Sequence, residues 1–354
     1  MPSENHAALN PAPTVATLQN AAAMGRDNRA FEMHVDALRT FLGGDLDWVE
    51  SELPSTLAGS LEPLVATGVH LLEAGGKRVR PILTLLCAGA VGVSGPAVRK
   101  LACAGELVHL ATLLHDDVID DADTRRNRPT PRVVWSNTAS VLGGDYALTR
   151  ALDLVAEVGN THPLMEAVQT LRELVEGEVL QLEHRGRLTL TLDAYNDIIY
   201  RKTASLFRWC CRSGAWLGDA EHVETLGRFG VSLGLCFQVV DDVLDVSASE
   251  TDTGKAQFTD LRDGKLTLPL LLALESEPDA RRLLVDAVGN AATDPERIAA
   301  IVLPLLARTD ALARARQQAL AHADDALTAL ASLPDGAHVV ALRGIAQALA
   351  NRMR

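Results

Sequence analysis

From about Phe31 to the end of the chain, apolar positions recur with the spacing of one helix face, broken at intervals by Gly and Pro. Helices are expected over 32–53, 59–74, 79–93, 97–121, 138–158, 163–184, 193–217, 221–247, 266–289, 295–307, 310–332 and 336–353. The breaks between them carry turn chemistry, as at Gly75-Gly76, Ser94-Gly95-Pro96, Thr161-His162-Pro163, Pro278 and Pro334-Asp335-Gly336. No stretch alternates with the period of two that marks a strand, and no Gly/Ser or Pro linker divides the chain. The pattern therefore predicts a single all-α domain over residues 31–354. Residues 1–30, rich in Ala, Asn and Pro and without a stable period, read as a mobile N-terminal arm.

Composition narrows the partners. With 33 Lys plus Arg against 46 Asp plus Glu, the net charge of −13 argues against nucleic-acid binding, which needs a basic face. Aromatics at 4% alongside abundant Leu and Ala favour helices over a β-sandwich. The five cysteines (Cys87, Cys103, Cys210, Cys211 and Cys236) form no C-x-x-C pair and read as buried thiols in a reducing compartment. No apolar run approaches the ~18 residues of a membrane span. The N-terminus carries Glu4 and His6 and no apolar signal segment, so a cytoplasmic location is expected.

Against this background two acidic clusters stand out. His115-Asp116-Asp117-Val118-Ile119-Asp120-Asp121 and Gln238-Val239-Val240-Asp241-Asp242-Val243-Leu244-Asp245 both contain D-D-x-x-D, and both end a long apolar helix. At about 100° per residue, Gly105, His109, Thr112, Asp116 and Asp120 fall within about 80° of one another. Gly234, Phe237, Gln238, Asp241 and Asp245 make a comparable stripe. Carboxylates are badly placed near a helix C-terminus, where the dipole favours cations. Two of them about 6 Å apart repel by roughly 3 kcal/mol at an effective dielectric near 20. A single run of this kind reads as a solvated helix end; two copies with one spacing point to hard divalent cations, and Mg²⁺ typically takes one or two carboxylates plus phosphate oxygens.

Basic residues complement them. Gly75-Gly76-Lys77-Arg78-Val79-Arg80-Pro81 opens one helix, Arg125, Arg126, Arg128 and Arg132 follow the first acidic cluster, and Lys202-Thr203, Lys255 and Lys265 fall near or beyond the second half. Arginine forks onto phosphate and lysine adds a mobile point charge. Metal, Arg and Lys around an apolar groove suit a ligand with a diphosphate head and a greasy tail.

These residues resemble the polyprenyl synthetase family, the trans-isoprenyl diphosphate synthases, over nearly everything from about residue 35 onward. The matching blocks, in the family's order, are GGKRVRP, ELVHLATLLHDDVID followed by Arg125-Arg126, GGDY at 143–146, GEVLQ at 177–181, KTASLF at 202–207, GLCFQVVDDVLD at 234–245 and DLRDGKLTLP at 260–269. The resemblance implies a helical bundle around a deep central cavity, a homodimer, and head-to-tail condensation of isopentenyl diphosphate onto an allylic diphosphate such as farnesyl or geranylgeranyl diphosphate. It implies that Asp116, Asp120 and Asp241 hold three Mg²⁺ ions on the allylic diphosphate, supported by Asp117, Asp242 and Asp245. Arg125, Lys202 and Lys265 would touch the same diphosphate. Lys77, Arg80, His109 and Arg126 would hold that of isopentenyl diphosphate, Thr203 and Gln238 would line the reacting centre, and Lys255 would close the site. Asn127 and Phe258 depart from the family pattern, each standing where Gly is usual.

Resemblance also bears on product length. Short-chain members place an aromatic four or five residues before the first aspartate, where this chain has the small Ala111 and Thr112. A long all-trans product, around C30 to C50 and destined for quinone side chains in a membrane, is therefore expected, with Leu107, Leu174 or the partner subunit as candidate cavity floor. The alternatives are a geranylgeranyl or farnesyl diphosphate synthase, a class I terpene cyclase, which would lack GGKRVRP, and a non-catalytic subunit, which would lose an aspartate motif.

Overall fold

The apolar stretch before the first acidic cluster is buried on nearly every side and carries much of the packing. The computed structural model describes residues 28–218, 220–247, 257–285 and 295–353. In chain order its helices begin with α1 (Asn28–Leu42), α2 (Gly44–Leu57), α3 (Glu62–Glu73), α4 (Val79–Ala90) and α5 (Pro96–Ile119). A two-residue antiparallel pair, β1 (Thr124–Arg125) with β2 (Arg128–Pro129), follows α5. Then come α6 (Pro131–Val134), α7 (Asn137–Glu157), α8 (Thr161–His184), α9 (Leu192–Ile199), α10 (Ser205–Ala215) and α11 (Val223–Ser247). The last are α12 (Thr259–Arg262), α13 (Leu268–Ser276), α14 (Pro295–Arg308), α15 (Ala311–Ala329) and α16 (Ala337–Asn351). The all-α expectation holds, and one hydrophobic core runs from Val35 to Met353.

Small residues set the helix spacing. On α15, Ala311, Ala315, Ala319 and Ala323 repeat every fourth position, fully buried, on a helix that packs against α11. A Cβ on Gly105 of α5 would sit 2.9 Å from Cys210 Sγ, and one on Gly234 of α11 would sit 2.7 Å from Ala204 Cα. The two acid-bearing helices therefore both close onto the segment from Tyr200 to Ala215, which fixes the relation of one acidic cluster to the other. All five cysteines are buried and unpaired by disulfide. Among the described residues no helix is long and apolar enough to cross a membrane.

Several expected boundaries move for local reasons. The helix expected over 32–53 splits at Gly43, which takes φ 45. The one expected over 193–217 is interrupted by a π turn, Tyr200–Ala204, that carries Lys202 and Thr203; such turns recur at functional sites. The helix expected over 266–289 stops at Ser276, before Pro278. The β1–β2 pair is too short to show a period of two. Helix α1 begins at Asn28, and the rest of the segment read as a mobile arm lies outside the described residues, as does Lys255.

The two departures from the family pattern share a backbone cause. Arg126 and Asn127 both take positive φ (51 and 60) between β1 and β2, the signature of a tight two-residue hairpin turn. Phe258 takes φ 59 at the start of α12. Glycine enters this left-handed region freely, Asn tolerates it, and other residues lose roughly 1–2 kcal/mol there. Phe258 offsets that strain by burying its ring completely. Phe258→Gly should therefore destabilise the protein by about 2–4 kcal/mol in urea unfolding, because burial of the ring outweighs the strain. Exposed Asn127→Gly should stay within about 0.5 kcal/mol of the parent. A Phe258→Gly variant as stable as the parent would show that strain and burial cancel.

Candidate active site

Asp116 lies in the last turn of α5, where burial, with Glu178 and Asp120 nearby, pushes its carboxyl up to about 6 against the pull of Lys202. Asp120 caps the helix, and its two oxygens accept from Lys265 Nζ at 2.7 Å and Arg185 Nη1 at 3.2 Å. Asp117 points into the protein instead. Fully buried, it accepts from Arg125 Nε at 2.7 Å, while its Oδ2 has no hydrogen-bond partner. Arg132 clamps the turn beyond, donating from Nε to Ala122 O at 2.9 Å and from Nη2 to Asp123 Oδ1 at 2.7 Å. The hairpin then swings Arg125 and Arg126 back toward α5.

On α11 the aspartates divide their work. Asp241 is exposed and sits in the electrostatic field of Lys77 and Arg352. Asp242 is buried, and its oxygens accept from the Tyr195 hydroxyl at 2.6 Å, Leu268 N at 3.2 Å and Gln238 Nε2 at 2.9 Å. Asp245 Oδ1 accepts from Thr259 N at 3.1 Å. Burial and neighbouring Asp260 push both carboxyls up to about 7. Because Gln238 gives its amide nitrogen to Asp242, its oxygen is left to accept from Thr203 Oγ1 at 2.8 Å. A hydrogen-bonded chain thus links Tyr195, Asp242, Gln238 and Thr203, three of them fixed before the reacting centre is reached.

Cations gather in two places. Lys202, presented by the π turn, bonds Gln181 and Glu178 of α8 and lies in the field of Asp116. Lys265 reaches Asp120 from the loop before α13. A second group surrounds His109, whose basicity falls well below the ordinary histidine range through burial and the charges of Arg80, Arg126, Arg125 and Arg78. Arg80 Nε is buried without a hydrogen-bond partner, and its guanidinium lies 5.4 Å from the Phe207 ring centre. Arg126 approaches Gly76 so closely that a Cβ there would lie 3.2 Å from Nη1. Arg78 and Arg125 have carboxylate partners, whereas Arg80 and Arg126 make no ion pair among the described residues, and these two suit an anion.

Next to Asp116 and Lys202 opens a cavity of about 490 Å³, otherwise mostly apolar. Thr112 lines it one turn below Asp116, with Leu148, Leu171, Leu174 and Val175 farther along. Of the residues expected to limit a chain, Thr112 and Leu174 line this cavity, whereas Ala111 and Leu107 are fully buried and do not. Sequence reasoning assigned no role to Arg185, Tyr195 or Arg352, and it counted Arg132 among the cations for a diphosphate, whereas Arg132 is spent on the turn after α5. For Glu178 and Gln181 a signal existed, since GEVLQ places them three residues apart on one helix face.

The donor set at the acidic end is all oxygen, and desolvation has raised Asp116 as an unmatched carboxylate is raised, so the residues fit a hard divalent cation. Among the described residues no three acidic, His or Cys side chains converge into a ready-made cage. Magnesium would be held by pairs of carboxylates and would finish its shell with phosphate oxygens.

Comparison with known proteins accords with this geometry. The Polyprenyl synthetase family model matches residues 62–304. The chain is 39% identical to heptaprenyl diphosphate synthase component 2 of Geobacillus stearothermophilus over 85% of its own length and 94% of the relative. A decaprenyl diphosphate synthase from Rhodobacter capsulatus superposes with a TM-score of 0.84 at 34% identity, covering 90% of this chain and 99% of that one. A polyprenyl synthase from Caulobacter crescentus, solved with calcium and isoprenyl diphosphate, gives 0.83 at 35% identity over 89% and 97% of the two chains.

Asp116 carries a pH signature. Its carboxyl is raised from 3.8 to about 6 on folding, so the stability tied to its protonated form is complete below pH ~4 and lost as pH rises through 6. Asp116→Asn should therefore stabilise the metal-free protein at pH 7.5, by up to about 3 kcal/mol, with the gain shrinking toward pH 4. Thermal unfolding in a chelator across that range tests it; a variant less stable than the parent at pH 7.5 would contradict it.

Proposed function

The chain belongs to the polyprenyl synthetase family, and from that premise we propose that it extends an allylic diphosphate, farnesyl or geranylgeranyl, by repeated head-to-tail addition of isopentenyl diphosphate. It is a prenyltransferase, and the product is a long all-trans polyprenyl diphosphate of about C30 to C50, suited to quinone side chains. The single observation that carries the reading is a mostly apolar cavity lined by Asp116, Lys202 and, one turn before Asp116, the small Thr112.

Asp116, Asp120 and Asp241 would hold magnesium, three ions with diphosphate bound, while Asp117, Asp242 and Asp245 support them through the packing contacts described above. When bound, magnesium supplies the charge that stabilises the departing diphosphate. Arg125, Lys202 and Lys265 add fixed positive charge to that group. Lys77, Arg80, His109 and Arg126 hold the second diphosphate, with His109 neutral and able to donate from one ring nitrogen. Thr203 Oγ1 donates its hydrogen bond to Gln238 Oε1, which leaves the remaining lone pairs of the two oxygens free to face developing positive charge. The apolar wall excludes water from the allylic cation. Lys255, which lies outside the described residues, keeps the closing role that the family resemblance implies for it.

The enzyme acts as a homodimer in the cytoplasm. Supporting the dimer, Val141 and Leu142 of α7 and Met165, Val168, Val175 and Val179 of α8 are exposed apolar side chains, far more than a free surface normally groups together. Val141, Val175 and Val179 also line the cavity, so a partner on this face would complete its wall.

Incubation with isopentenyl and farnesyl diphosphates and Mg²⁺, followed by chromatography of the dephosphorylated products, should give chains of C30 or longer. Products ending at C15 or C20 with every primer would make it a short-chain synthase, and a cyclic hydrocarbon would make it a cyclase. Thr112→Phe should shorten the product by several isoprene units while leaving the KM for isopentenyl diphosphate within about twofold. An unchanged product would remove the cavity as the tail's path.

A further inference from the structure

Under the arginines assigned to isopentenyl diphosphate sits a carboxylate that the chemistry above does not use. Glu106 of α5, one turn before His109, is 5% exposed. Its Oε1 accepts from Arg78 Nη1 at 3.0 Å, and its Oε2 is buried with no hydrogen-bond partner. Arg78 itself is anchored three ways, to Glu106, to both oxygens of Glu50 at 3.1 Å and to Leu72 O at 3.3 Å, and it takes a left-handed φ of 51 at the start of α4. A Cβ on Gly76 would meet Arg78 Nη1 at 3.0 Å and Arg126 Nη1 at 3.2 Å, so the two guanidiniums flank one bare backbone position. Arg39 Nη2 fixes that position from the other side by donating to Gly76 O at 2.9 Å.

A buried negative charge here opposes anion binding directly. Its compensating use is visible in its neighbours. Arg80 has a buried Nε without a partner, and Arg126 makes no ion pair within 4 Å among the described residues. Both nevertheless lie in the field of Glu106, which raises their basicity against the burial that lowers it. One oxygen of the carboxylate is therefore committed to the fold through Arg78, and the other is uncommitted beside guanidiniums that would repel one another if left alone.

We propose that Glu106 is the positioning residue of the second diphosphate pocket, an internal counter-ion that keeps Arg80 and Arg126 gathered around His109 until the phosphate oxygens of the incoming substrate replace it. The inference rests on the assignment of that pocket to isopentenyl diphosphate. Glu106 does not touch the substrate, so its effect falls on one substrate's binding rather than on the transfer step.

The test is steady-state kinetics with each substrate varied separately. Glu106→Gln should raise the KM for isopentenyl diphosphate at least tenfold and leave the allylic KM within twofold. Glu106→Asp, which keeps the charge but withdraws it by one methylene, should show a smaller rise of the same selectivity. Arg78→Met/Glu106→Leu, which exchanges the buried pair for apolar side chains and leaves Glu50 paired with Arg39, should reproduce the selective rise. Parental KM values in Glu106→Gln or in the double variant would reduce Glu106 to a core ion pair, and so would an equal rise of both KM values together with a lower Tm. Either result overturns the inference while the parent still turns over isopentenyl diphosphate. A parent that does not use this substrate overturns the pocket assignment, and the inference with it.

Discussion

Charge removed from water must be matched by charge, and nearly everything distinctive about this protein follows from gathering carboxylates at the C-terminal ends of two helices. The helix dipole opposes them there. Each is answered differently. Asp120 has Lys265 and Arg185, Asp117 has Arg125, Asp242 has three donors, and Asp245 has the backbone of α12. Asp116 is left with the field of Lys202, which is itself bonded to Gln181 and Glu178. Asp116 is thus the least compensated of the set, which is the condition under which an added cation lowers the free energy most.

The fold exists to keep that imbalance rigid. Helices α5 and α11 both close onto one segment through Gly105 and Gly234, so the acidic ends cannot drift apart without opening those close contacts. The π turn at Tyr200–Ala204 packs against α8 and α11, sending Lys202 to Gln181 and Glu178 on the first and Thr203 to Gln238 on the second. Opposite charge is collected on the other side, around His109, and the apolar cavity lies beside Asp116. A diphosphate with a hydrocarbon tail matches all three features at once; a purely polar ligand would leave the cavity unused.

The stripes that carry chemistry were legible because they repeat: two D-D-x-x-D runs at helix ends, a basic GGKRVRP opening, and small Thr112 four residues before Asp116. Periodicity located the helices, but it did not show that one run hides a π turn or that Gly43 splits another, since neither changes which residues are apolar. Arg185 and Tyr195 were invisible for a different reason. They meet Asp120 and Asp242 only through tertiary contact, from positions 65 and 47 residues away, and carry no local motif. Glu106 lies about 80° round the helix from Asp116 and repeats in no motif, and only its depth in the structure sets it apart. Asn127 and Phe258 were noticed as departures, yet the reason glycine is usual at both, a left-handed backbone, is a property of the turn.

Calorimetric titration of farnesyl diphosphate into the full-length protein, with and without Mg²⁺, tests the central account most directly. Tight binding is expected with the metal, at least a hundredfold weaker binding in its absence, and loss of the metal effect in Asp241→Asn. Equal affinity with and without Mg²⁺ would contradict it, because the two acidic helix ends would then have no part in holding the diphosphate.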